Sequence, residues 1–155
     1  MILSAEQARK NFPHSLIFEG AVIRESAEIR EGAVIREGAE IFEGAVIGKG
    51  TVIGKGAMVF EGADIFEGAD IFEGAVIGKD RKDVLDCLVI NGIGQTKNIT
   101  AYRCTDGVIV NIGCVNDYKG LPPDEMLTHI KQKYSEPHPY FTAMKLIKEF
   151  YGLEQ

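Results

Sequence analysis

The segment Gly92-Ile-Gly-Gln-Thr-Lys97 holds the residue types best suited to gripping a ligand. Its two glycines let the backbone approach closely, and Gln95, Thr96 and Lys97 supply donors to an anion. Tyr102 and Arg103, on the strand expected next, add a ring to stack a base and a guanidinium to pair a phosphate. The segment is neither a Walker loop nor a dinucleotide fingerprint, because the terminal Lys-Ser/Thr pair and a third glycine opening a helix are missing. The simpler reading, and the one favoured by the residues alone, is a tight turn into a hairpin, with Tyr102 and Arg103 a half-exposed strand pair. Cys87, Cys104 and Cys114 fit neither a CxxC metal pair nor a disulfide framework. Cys114 follows Gly113 with no His/Asp arrangement to activate it, so it reads as a buried thiol. Neither a metal nor a cofactor is expected.

Positioning such residues takes a scaffold, and 155 residues suffice for one domain or two small ones. A net charge of −6, from 23 acidic and 17 basic residues, argues against a nucleic-acid polymer as partner. No apolar stretch is long enough to cross a bilayer, and the first residues do not form a signal peptide. A cytoplasmic protein is the expectation.

Periodicity settles the scaffold. An aliphatic residue recurs every six positions from Ile17 through Ile23, Ile29, Ile35, Ile41, Ile47, Ile53, Val59, Ile65 and Ile71 to Ile77. A small residue stands two places before each from Ile23 onward, and a Glu-Gly or Lys-Gly pair turns most repeats. A period of six excludes a continuous helix, whose apolar face repeats near 3.6. Ala-x-Ile alternates in, out, in as a short strand does, and glycine supplies the positive φ of the turn.

Units such as IREGAE, IFEGAV and IGKGTV resemble the hexapeptide-repeat family of left-handed parallel β-helices. The resemblance implies a triangular prism with three hexads per coil over 15–82, nearly four coils in all, and a homotrimer. Residues 18 apart then stack. One face shows Val22, Phe42, Met58, Phe60 and Val76 outside, and a second shows Phe18, Val34, Val52 and Phe72. Outward apolar stripes on a closed prism mark an interface between subunits, unless the C-terminal region folds back over them. The charges at the turns, among them Lys55 and Glu73, read as solvated edges.

Residues 1–14 are expected to cap the first coil, with Ser4 and Gln7 at capping-box spacing. Residues 83–155 are expected to form a small α+β module: strands 87–90, 99–105 and 108–114, joined by a hairpin at Asp106-Gly107, and helices 123–134 and 139–151. The fold class is mainly β, a left-handed parallel β-helix followed by that module. The order of its elements is similar to a C-terminal module of bacteriophage-encoded proteins of unsettled function.

Acyltransferases of the resembled family place a catalytic histidine on a coil or an extruded loop. Here the coils carry no histidine and no insertion; His14 precedes them, and His129 and His138 follow. The leading expectation is a non-enzymatic homotrimer whose C-terminal modules bind a small anionic ligand. A phage protein sequestering a host signalling nucleotide is one form of it. A CoA-dependent acyltransferase is the alternative, with a neighbouring subunit supplying the base, and a structural or engineered trimeric scaffold is the third.

Overall fold

The computed structural model describes residues 1–91 and 98–154. The repeat forms a parallel β-helix of three full coils and part of a fourth. Its first sheet stacks β3 (Val22–Arg24), β6 (Glu40–Ile41), β9 (Met58–Val59) and β12 (Val76–Ile77). The second stacks β2 (Leu16–Ile17), β5 (Val34–Ile35), β8 (Val52–Ile53) and β11 (Asp70–Ile71). The third stacks β4 (Glu28–Ile29), β7 (Val46–Ile47) and β10 (Asp64–Ile65). Each strand pairs in parallel with the one a coil away, as Val22 does with Glu40 and Ile23 with Ile41.

The coil is held by one bond pattern. The N–H of Val22 reaches the carbonyl of Ala39, that of Phe42 reaches Val59, and that of Met58 reaches Ala75, all at 2.9 Å. Inside, Ile23, Ile35, Ile41, Ile47, Ile53 and Ile77 are completely buried over a layer of alanines. Each such side chain contributes about 1.5–3 kcal/mol relative to exposure. Thr51, in place of an alanine, is equally buried and donates its hydroxyl to the Phe66 carbonyl. The corner glycines have positive φ, and Ser26 at 62° and Asp80 at 59° take the same conformation in corners that lack glycine.

The first coil is closed by β1 (Ile2–Leu3), antiparallel to β3, and by α1 (Ala5–Asn11). Ser4 and Gln7 form the capping box, and Ala5 and Ala8 are buried on the prism core. Arg9 reaches past the helix to donate to the Ile17 carbonyl at 2.6 Å.

At the other end lies an antiparallel sheet of β13 (Asp86–Asn91), β14 (Asn98–Cys104) and β15 (Gly107–Ile112). Alternation along β14 gives it two jobs. Tyr102 and Cys104 join the prism core, whereas Ile99 and Ala101 join a second core with α2 (Pro123–Lys133) and α3 (Pro139–Phe150). The last coil has no following rung to receive its backbone donors, so side chains of the sheet receive them. Val76 N–H donates to Thr100 Oγ1 at 3.0 Å, Gly78 N–H to the Tyr102 hydroxyl at 3.1 Å, and Phe72 N–H to Cys87 Sγ at 3.5 Å.

β15 ends at Ile112, two residues short of the expectation, because Gly113 at φ 52° turns the chain back. The following loop runs through Asn116, Asp117 and Tyr118, all left-handed, to Gly120. Leu121 then pairs with Val110 as an isolated antiparallel bridge. In consequence Cys114 is exposed, correcting the buried thiol expected there; Cys87 and Cys104 are the buried ones.

Candidate functional site

The 113–120 loop folds back along the first face of the prism and is anchored there. Tyr118 stacks on Phe60 at 5.1 Å between ring centroids, Phe60 stacks on Phe42 at 4.7 Å, and Arg24 lies 4.4 Å over Phe42. A cation and three rings thus form a ladder up the face. Arg81, just past the last coil, donates from Nε and Nη2 to the Lys119 carbonyl at 3.0 and 2.6 Å and pairs with Asp106 at 2.7 Å. Gly78 sits directly beneath: a Cβ there would stand 2.6 Å from the Tyr118 carbonyl oxygen. The loop can approach so closely only because that position has no side chain.

Between loop and prism lies a cleft of about 700 Å³. Met58, Phe60 and Val76 form its apolar floor, and Asn98, Asn111, Gly113, Cys114 and Tyr118 its far wall. Lys55 and Glu73 stand at its edge, and neither is ion-paired among the described residues. Both faces of the Phe60 ring are taken by Phe42 and Tyr118, so an incoming ring would lie on Met58 and Val76. The cleft has the volume and mixed lining of a small-molecule site. Asn111 is 2% exposed, and its side-chain oxygen has no hydrogen-bond partner among the described residues.

Gln95, Thr96 and Lys97 lie outside the described residues; Asn98, which follows them, lines the cleft and donates to the Gly74 carbonyl at 2.6 Å. Tyr102 does not offer a stacking surface. It is completely buried, and that burial raises its hydroxyl well above the ordinary tyrosine value. Arg103 points to the opposite side of β14, 5.2 Å over the Tyr151 ring. Successive residues of a strand face opposite ways, so the structure does not bring these two together, and neither lines the cleft.

Of the two apolar stripes, the first is partly covered within the chain. Phe60 is 7% exposed, Met58 and Val76 line the cleft, and Val22 and Phe42 are half-buried. The second stripe remains open: Phe72 is 54% exposed, Leu16 at the opposite end of the sheet 63%, and Phe18, Val34 and Val52 are half-buried. None of the three histidines lines the cleft. His138 caps α3, accepting from the Tyr140 N–H at 3.2 Å, and stacks on Tyr134. No cluster of His, Cys, Asp or Glu suited to a metal occurs among the described residues, and no described helix is long and apolar enough to cross a membrane.

Asn111, Lys55 and Tyr118 were not picked out as site residues by sequence. For Asn111 a signal existed: it is the single polar side chain in Val108-Ile-Val-Asn-Ile112. Comparison with known proteins adds no relative. No protein family, curated protein or solved structure matches this chain.

Proposed function

We propose that this chain is a non-enzymatic, homotrimeric β-helix protein that binds a small anionic ligand, a nucleotide in the form the cleft fits best. The observation that carries the reading is the cleft itself. It joins an apolar floor suited to a flat ring and a lysine at the edge that makes no ion pair among the described residues. A base would lie against Met58 and Val76, and its phosphate would meet Lys55. Glu73 beside Lys55 opposes additional negative charge and favours few phosphates over many. Binding without turnover is what a sequestering protein requires, and no histidine stands at the cleft to act as general base. The open second stripe, with Leu16, Phe18, Val34, Val52 and Phe72, is the surface through which subunits would meet. Three unpaired thiols accord with a reducing, cytoplasmic setting.

The test pairs native mass spectrometry with a thermal-shift series using the four nucleoside 5′-monophosphates and acetyl-CoA. The expected result is a trimer, stabilised by a nucleotide by about 2.7 kcal/mol at a hundredfold excess over Kd. Lys55→Ala should weaken that response. A monomer that answers to no nucleotide overturns the reading, and turnover of acetyl-CoA restores the acyltransferase.

A further inference from the structure

One chain covers a ligand in the cleft on one side only. A ring lying on Met58 and Val76 would have its outer face bare towards the edge marked by Lys55 and Glu73. These two stand at the corner where β8 and β11 of the second sheet turn into β9 and β12 of the first. They also border a hollow of about 390 Å³ on the other side of that corner, lined by Arg36, Gly54 and Phe72. The hollow belongs to the open second stripe. Cleft and stripe are neighbours around one corner.

A closed ring of three identical chains needs a heterologous contact, in which each copy offers one face to one neighbour and a different face to the other. The second face, where Phe72 is 54% exposed, supplies one side of that contact. The third face matches it poorly: Glu28 there pairs with Arg30, and Asp64 with Lys82. The first face, with half-buried Val22, Met58 and Val76, is the apolar one that remains. The first and second faces share the corner of Lys55 and Glu73, so in such a ring this corner points at the threefold axis.

We infer that the cleft is completed by a second copy of this chain, whose Phe72 lies over the floor at Val76 and covers the outer face of the bound base. The inference rests on the trimeric nucleotide reading above and deepens it, since each site is then made by two chains. With the prisms parallel to the axis, equal coils meet. Arg36 of one copy comes opposite Glu40 of the next, Gly54 opposite Met58, and Phe72 opposite Val76. The charges are complementary in this arrangement. Arg36 faces a carboxylate, and Lys55 and Glu73, which make no ion pair within one chain among the described residues, alternate around the axis. Gly54, lacking a side chain, leaves room for Met58. Stacking on the neighbour's Phe72 accepts any base, because every base has a π-face.

The experiment is native mass spectrometry of the wild-type protein, diluted until trimer gives way to monomer, with each of the four nucleoside 5′-monophosphates. Nucleotide should appear on the trimer and be absent from the monomer. A monomer that keeps it overturns the inference and leaves the nucleotide reading standing. A protein that takes none of the four in any state overturns both. Complementation tests the same point in a trimer too tight to dilute apart. Phe72→Ala and Lys55→Ala should each bind roughly tenfold more weakly. Trimers refolded from a mixture of the two should regain wild-type affinity wherever an intact Lys55 meets an intact Phe72 of the neighbour. Wild-type affinity in Phe72→Ala, or no recovery in mixed trimers of folded chains, overturns the inference. The dilution series needs no variant, so it stands if Phe72→Ala does not fold.

Discussion

Inside the prism, backbone donors are answered by backbone; at its C-terminal end those of Phe72, Val76 and Gly78 are answered by side chains. Met58 N–H finds the Ala75 carbonyl one coil on, and nothing about the identity of residue 75 beyond its size matters to that bond. Val76 and Gly78 have no further coil, and the same requirement is met by Thr100 Oγ1 and the Tyr102 hydroxyl. The repeat thus tolerates any sequence that keeps the period, whereas the junction depends on individual atoms.

Truncation in the interior should strike the first region hardest. Ile47→Ala removes a fully buried side chain, and the stacked coils cannot collapse freely around the gap, so about 2–5 kcal/mol should be lost. Guanidinium denaturation reads this directly, and Ile41→Ala should behave alike; costs under 1 kcal/mol at both would mean the core is not packed as described.

The junction answers to a smaller change. Tyr102→Phe keeps the ring but leaves the Gly78 N–H buried and unpaired, at about 1–3 kcal/mol. The same hydroxyl makes stability fall in alkali. Burial raises the folded-state pKa of Tyr102 above its ordinary value of 10.0. Tyr151 is raised likewise, by burial and then by Asp86, also from 10.0. Groups raised on folding contribute fully below the unfolded value, so the tyrosines' share of stability should be constant up to about pH 10 and decline beyond it, after an earlier decline from the buried thiols of Cys87 and Cys104, which are raised from 9.0. Tyr102→Phe should show a shallower decline than wild type; identical slopes in urea melts at pH 9 and 11 would remove the hydroxyl from the junction.

Thiol reactivity gives a finer contrast. Cys114 is exposed, while burial raises the thiols of Cys87 and Cys104 and disfavours their thiolates. Ellman's reagent should therefore titrate one thiol in the native protein and three after unfolding. Prompt reaction of more than one would contradict the enclosed end of the prism. The smallest effect belongs to the corners and outer faces: Glu28→Gln breaks an exposed 3.6 Å pair with Arg30 and should change stability by less than ~1 kcal/mol.

The same division explains what could be read from residues alone. Ile23, Ile41 and Ala39 announce their burial by period, and Ser4, Gln7 and the Asp106-Gly107 turn act within a few residues of themselves. Tyr102 does not, because strand alternation says that it faces one side of β14 but not that a prism waits there. The cleft was the least legible part. It exists because Gly113 ends a strand early and Tyr118 returns to Phe60, 58 positions back in the chain. No local pattern contains that contact.

A tube of stacked rungs could in principle be extended by another molecule laid on its open rim. Here Thr100, Tyr102 and Cys87 already occupy donors along the final coil, and antiparallel β1 crosses the start of the first sheet. Residues of the same chain thus cover part of each rim, which opposes end-to-end pairing of tubes there.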